Sequence, residues 1–231
     1  MKSTKSILLV LEKLKKEFPN RGAMEIGNPY QNLVAVMLSA RTRDEQVLKL
    51  FPSFLKNFPT VQKLAKSTPN QIDRRIKTIG MDRQKAKNLQ KMADEVVNKF
   101  HGQIPNTMED LTFLTGVGRK TASVILVTSF FKPAIAVDTH VHRVTNRLGW
   151  VNATTPEKTE KALLEIIPET LQPVVNRVFV KFGRYICIPG KPRCWGCPIQ
   201  KYCAYKNKNL IKPKNSAKIL DTWSQQSSAT R

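Results

Sequence analysis

The 231-residue chain contains no apolar run of about 18 residues, the length at which a membrane-spanning helix becomes the natural reading. It also lacks sustained alternation of apolar and polar residues, which excludes a sheet protein, and it shows no internal repeat of solenoid type. Acidic residues are scarce: 17 Asp+Glu stand against 39 Lys+Arg, a formal net charge of +22. Such an excess opposes compaction by self-repulsion, so a polyanionic partner is its natural explanation, and nucleic acid is the expected one. A hydrophobic content of 41% excludes a disordered chain. The N-terminal segment turns apolar only briefly before Glu12, Lys13, Lys15 and Lys16 interrupt it, too short a block for a signal peptide. An intracellular, cytoplasmic protein is therefore expected.

What is present reads as helix, and the expected class is all-α. Ile7, Leu8, Leu11 and Leu14 share one helical face. Asn28-Pro29 and Thr155-Pro156 each combine a cap residue with proline in the first turn. The first opens a helix with Leu33, Val34, Met37 and Leu38; a polar break at Arg41-Thr42-Arg43 precedes another with Val47, Leu48, Phe51, Phe54 and Leu55. A long helix is expected from about Asp82 to Phe100, with Ala86, Leu89, Ala93, Val96 and Val97 on one side. The only extended-looking piece is Ala134 to Val137. From about Lys206 the chain becomes lysine-rich and then polar, which reads as a flexible basic tail over 206–231.

All four cysteines, Cys187, Cys194, Cys197 and Cys203, fall within 17 residues in the spacing C-x6-C-x2-C-x5-C. Two disulfides are arithmetically available, but an intracellular chain rarely keeps them. Four thiolates this close suit a tetrahedral zinc or an iron–sulfur cluster, and the single short gap fits the two-knuckle pattern of structural zinc poorly. Arg184, Lys191, Arg193 and Lys201 surround the site, so the loop it shapes could present cations to phosphates.

The most informative segment is Leu114–Leu126, LTGVGRKTASVIL. Thr107 and Asp110 form a capping-box pattern for a short first helix. Gly116 and Gly118 then allow a tight turn with positive φ, and a second helix follows with Ala122, Ile125 and Leu126 buried. Backbone N–H groups at such a turn make a phosphate site, although an ordinary αα-hairpin would also carry a glycine turn. The spacing before Lys120 does not match a P-loop. Lys120 falls in the first turn of the second helix, where the helix dipole disfavours a purely structural cation. That field, Arg119 and partial burial would favour the neutral amine that a nucleophile needs. Asp138 follows an apolar run and precedes a helix, so it is an N-cap candidate that could also act as acid or base beside Lys120. His140 and His142, two apart, point to different helix faces and read as structural residues or phosphate neighbours rather than metal ligands.

LTGVGRKTASVIL, then VDTHVHRVTNRLGW (137–150), then the four-cysteine spacing resemble the endonuclease III family, the helix-hairpin-helix DNA glycosylase/AP lyases, over roughly residues 5–205. The resemblance implies a two-lobed fold. Residues 22–133 would form a six-helix barrel carrying the hairpin. Residues 1–21 with 134–205 would hold a [4Fe–4S] cluster on Cys187, Cys194, Cys197 and Cys203. Double-stranded DNA bearing damaged bases or abasic sites would lie in the groove between the lobes, bound by a monomer with the damaged nucleotide flipped out. Lys120 matches the family's nucleophilic lysine and Asp138 its catalytic aspartate. Gly116, Gly118, Arg119, His140, Arg143, Lys191 and Arg193 become candidate DNA contacts.

Where the family usually has glutamine, in a stretch that fills the gap left by the flipped base, this chain has Arg41. The second such wedge position corresponds to Met81, and the lysine-rich tail is not a general family feature. The implied activity is removal of oxidised pyrimidines followed by nicking through a Lys Schiff base. The rivals are a monofunctional mismatch glycosylase, whose members lack lysine at position 120, and a non-catalytic DNA-binding metalloprotein.

Overall fold

A computed structural model describes residues 4–18, 26–214 and 216, and among them every regular element is helical. The chain divides into two compact units, Met1–Gly22 with Pro133–Arg231, and Ala23–Lys132.

In the central unit the helices are α2 (Pro29–Ser39), α3 (Asp44–Asn57), α4 (Val61–Ala65), α5 (Pro69–Ile76), α6 (Asp82–Lys99), α7 (Met108–Phe113) and α8 (Arg119–Phe130). Helix α4 is short and is capped by the Thr60 side chain, which accepts from the Lys63 N–H. Helix α2 starts as its sequence dictates: Asn28 and Gln31 form a reciprocal capping box, with Pro29 at the first position. Its buried face carries Leu33, Val34, Met37 and Leu38. Helix α3 buries Val47, Phe51 and Phe54 but leaves Leu48 exposed, because Leu48 is off the i, i+4, i+7 stripe. Helix α6 is the unit's long element, with Ala86, Leu89, Met92, Ala93 and Val96 buried along one side.

The other unit pairs α1 (Thr4–Glu17) with α9 (Thr139–Leu148), α10 (Pro156–Ile166) and α11 (Gln172–Tyr185). Ile7, Val10, Leu11 and Leu14 of α1 enter the same core as Val141, Val144, Val178 and Phe182, so the N-terminal helix completes a core built more than 120 residues later. Residues 134–137 are buried and belong to no regular element, with Ile135 and Val137 in this core. The segment expected to begin a loose tail is tied down at its start: the Trp195 N–H donates to Asn209 O. The remainder of that tail, residues 215 and 217–231, lies outside the described residues. No helix among the described residues is long and apolar enough to cross a membrane.

Candidate functional site

The hairpin is built from α7, a turn and α8. Thr107 caps α7 by accepting the Asp110 N–H, and its hydroxyl donates to the Asp110 carboxylate. The expected reciprocal box is therefore replaced by a side-chain pair. In the turn only Gly116 has positive φ, +81°. Gly118 is extended, at φ −88° and ψ 172°, because it serves as the N-cap of α8 and a cap residue takes β-region geometry. A Cβ on Gly116 would meet the Asn88 side chain at 3.0 Å and the Met37 methyl at 3.2 Å. Glycine is thus favoured there by conformation, and the space for a side chain is tight. Gly118 offers no side chain to cap α8, and the start of a helix favours an anion.

The turn is held from α6. Both carboxylate oxygens of Glu95 accept from Thr115, one from its N–H and one from its hydroxyl. The sequence gives no signal for this role, since Glu95 reads as one more charge on a long helix.

Lys120 is the second residue of α8 and is exposed. The partial burial expected for it is absent, because it follows the cap on the outward face of the helix start.

A cavity of about 150 Å³ in the central unit is lined by Arg41, Met81 and Gly116 together with Met37, Gln84, Lys85 and Asn88. It gathers the two wedge candidates and the hairpin glycine on one rim. Arg41 and Met81 both adopt left-handed backbone, φ 54° and 60°. Each such residue costs roughly 1–2 kcal/mol, which surrounding contacts must offset. Beneath them lies Lys85, buried although charged, with its ammonium donating to Leu38 O at 2.8 Å and Thr42 Oγ1 at 2.6 Å. Burial pushes its pKa down, against the opposing pull of the Asp82 carboxylate.

In the other unit Asp138 caps α9. Its Oδ1 accepts from the His140 N–H at 2.9 Å and the Val141 N–H at 2.8 Å. Both bonds use the same oxygen, and Asp138 is half-buried, so capping leaves Oδ2 for other work. His140 is pushed below its ordinary pKa by burial, against the pull of Asp138, with Arg143 and Arg184 adding to the downward push. His142 contacts the Thr159 hydroxyl at 2.7 Å, joining α9 to α10. Arg143 donates to Gly183 O, to Cys187 O and to Thr139 O, and Arg193 to Tyr185 O. Apart from Thr139 O, these guanidiniums cover carbonyls at and just beyond the end of α11, whereas Lys191 is exposed.

The four cysteines line one cavity together with Arg147, Leu148, Phe182, Ile186, Ile199 and Tyr205. Arg147 is its hub: it donates to Ile188 O and Cys187 Sγ, while the Cys203 thiol donates to Arg147 O and the guanidinium stacks over Tyr205. Gly149 ends α9 at φ +71°, where a Cβ would meet Ala204 at 2.8 Å, so the cysteine loop packs directly on this turn. Burial pushes the Cys187 thiol up and the Cys197 thiol up to about 12, which marks a site where thiolates need a compensating cation. Among the described residues no three His, Cys, Asp or Glu side chains gather tightly enough for a single metal ion. Four sulfurs around one cavity are a donor set suited to a metal centre.

Lys120 and the hairpin belong to the central unit, and Asp138 and the cysteines to the other. Within each unit the candidates fall into contiguous groups: Gly116, Gly118, Arg119 and Lys120 at the start of α8, and Asp138, His140 and Arg143 at the start of α9.

Residues 34–169 match the model of the HhH-GPD superfamily of base excision DNA repair proteins. The endonuclease III of Thermotoga maritima is 44% identical over 77% of this chain and 84% of its own length. That of Haemophilus influenzae is 37% identical over 90% and 99%. Among solved structures, a trapped endonuclease III–DNA covalent intermediate superposes with a TM-score of 0.81 at 34% identity, covering 88% of this chain and 97% of the other. A thermostable thymine-DNA glycosylase superposes with a TM-score of 0.78 at 26% identity, covering 87% and 96%. Taken with the hairpin, the capped aspartate and the cysteine loop, these matches establish that the chain belongs to the endonuclease III family of helix-hairpin-helix base excision DNA repair proteins.

Proposed function

We infer that the protein is a bifunctional DNA glycosylase and AP lyase of base excision repair, removing oxidised pyrimidines and nicking abasic sites in double-stranded DNA. The observation that carries this reading is Lys120, a primary amine at the second position of α8 directly after the hairpin turn.

An exposed lysine amine is a poor nucleophile while it is charged. DNA seated on the hairpin would supply the desolvation that the free protein lacks at Lys120. The Asp138 Oδ2, left over from capping, can stabilise the positive charge that develops on the sugar as the glycosidic bond breaks and the base departs with the electron pair. The Lys120 amine forms a bond to the anomeric carbon, its proton passing to a base for which Asp138 is the candidate. Opening of the sugar ring gives the Schiff base. Loss of a proton from the 2′ carbon then breaks the bond to the 3′ oxygen and expels the phosphate.

Gly116, Gly118 and Arg119 would hold a phosphate at the hairpin, and Lys191 would add a second cationic contact. Arg143 and Arg193 contribute chiefly by shaping the loop that carries Lys191. Arg41 and Met81 would fill the gap left by the flipped nucleotide. Cys187, Cys194, Cys197 and Cys203 would hold the [4Fe–4S] cluster. That cluster, when bound, would supply metal–thiolate cross-links that hold the loop from Cys187 to Cys203 together just after α11. The residues 1–21 and 134–205 form the cluster domain in this reading, and 22–133 the hairpin domain.

Borohydride trapping on an abasic duplex tests the assignment. Wild-type protein should give a covalent adduct, and Lys120→Gln should give none while still binding the duplex. A Lys120→Gln protein trapped at the wild-type rate would mean that another amine is the nucleophile.

A further inference from the structure

The last four carbonyls of a helix lack intrahelical donors and must find them elsewhere when buried. For α2 the account closes. Val36 O accepts from the Ser39 hydroxyl, Met37 O from the Ala40 N–H and Ser39 O from the Thr42 N–H. Leu38 O accepts from the ammonium of Lys85, which approaches from α6. The same ammonium holds Thr42 Oγ1 on the far side of Arg41, so its two bonds bracket the Ala40–Arg41 turn. Lys85 is tied to the second wedge position as well: its own backbone N–H donates to Met81 O, the bond that opens α6. One residue therefore touches both chain segments whose left-handed positions line the rim of the 150 Å³ cavity.

Burial of the ammonium is not explained by an ion pair. Both of its partners are neutral oxygens, one a helix C-terminal carbonyl, where a cation is favoured by the helix dipole. An ordinary helix-capping need could be met by a residue nearby in sequence. Here it is met from 47 residues away, by the residue that also begins the other wedge turn.

The geometry points to Lys85 as a positioning residue that sets Arg41 and Met81 in register with each other, and through them governs extrusion of the damaged nucleotide and discrimination of the base opposite. This rests on the wedge reading of Arg41 and Met81 given above. Lys85 itself need not touch DNA.

Four variants test it: Lys85→Met, which keeps the stem but removes both hydrogen bonds; Lys85→Arg, which keeps a cationic donor; Thr42→Val, which removes one acceptor with little change in shape; and Arg41→Ala as the reference for wedge loss. The readouts are fluorescence of 2-aminopurine placed opposite the lesion and the ratio of single-turnover base release between purine and pyrimidine opposites. Because misplacement of a catalytic constellation by about 1 Å can cost on the order of a hundredfold, Lys85→Met should slow base release by about tenfold to a hundredfold. It should shift the opposite-base ratio in the same direction as Arg41→Ala, and Thr42→Val should do so more mildly. Lys85→Arg, which keeps a cationic donor at this position, should retain part of the wild-type ratio. If Arg41→Ala alters both readouts while folded Lys85→Met or Thr42→Val leaves them as in wild type, Lys85 is only a core cap and the inference is overturned alone. If Arg41→Ala leaves both unchanged, the wedge reading falls and takes the inference with it. Should Lys85→Met fail to fold, Thr42→Val decides by the same criteria.

Discussion

Glu95 grips Thr115 with both carboxylate oxygens, each at 2.7 Å, one on the backbone N–H and one on the hydroxyl. This ties the hairpin turn to the long helix α6. In Glu95→Gln the amide nitrogen cannot accept, so one Thr115 donor loses its partner. A lost charge-assisted bond of this kind costs about 1–3 kcal/mol. Chemical denaturation should read a loss of that order, and duplex affinity should fall as the turn loosens. Removal of one negative charge alone would instead strengthen DNA binding. A variant of unchanged stability that binds more tightly would show that Glu95 acts only through its charge.

Asp138 combines a cap with a free oxygen, and the two roles separate on substitution. Asparagine caps about as well as aspartate, so Asp138→Asn should retain the bonds to His140 and Val141. Loss of charge at the α9 start costs roughly 0.3–1 kcal/mol. Base release should fall by on the order of 10²–10⁴, the range for a positioned acid or base. Asp138→Ala should lose about 1 kcal/mol more stability through the cap. Parallel losses of stability and activity in Asp138→Asn would reduce the residue to a structural one.

The cysteine cavity makes a compositional prediction. Purified protein should be yellow-brown and carry about four irons per chain. Cys197→Ser should lower the iron content and destabilise the unit containing α9 and α11, because metal binding and folding of such a loop are linked. Colourless protein with one zinc would rule out the cluster.

Tyr30 gives a pH dependence. Its buried hydroxyl donates to Phe58 O at 2.8 Å, and burial pushes the phenol well above its ordinary value. A raised folded-state pKa means that the stabilisation is complete below the unfolded value, about 10, and is lost as pH rises from there through the folded value. Tyr30→Phe should cost about 1–2 kcal/mol at neutral pH, since Phe58 O is left without its donor. The same variant should show a shallower alkaline decline. Equal declines in both proteins would assign the alkaline transition to other groups.

Helix starts were legible from sequence because caps are local. Asn28-Pro29, Thr155-Pro156 and Thr107 each open a helix where the chain alone indicates, since cap and capped amide lie within three residues. The cysteine spacing and the Lys120 and Asp138 motifs were legible for the same reason, being contiguous patterns. Asp138 as a cap follows from its own neighbourhood. That only Oδ1 is used does not.

What tertiary structure alone decided concerns partners distant in sequence. Lys85 reads as a solvated charge on a helix face, yet it is buried because Leu38 O, 47 residues away, needs a donor. Glu95 and Arg147 read as surface charges and are instead the holders of the hairpin turn and the cysteine loop. Lys120 is exposed, which no helical pattern could reveal at the first turn after a glycine cap. Local hydrogen bonds are written in short sequence spacings. A buried polar group, by contrast, is explained only by whichever orphan donor or acceptor the fold brings against it, and that is settled when the helices pack.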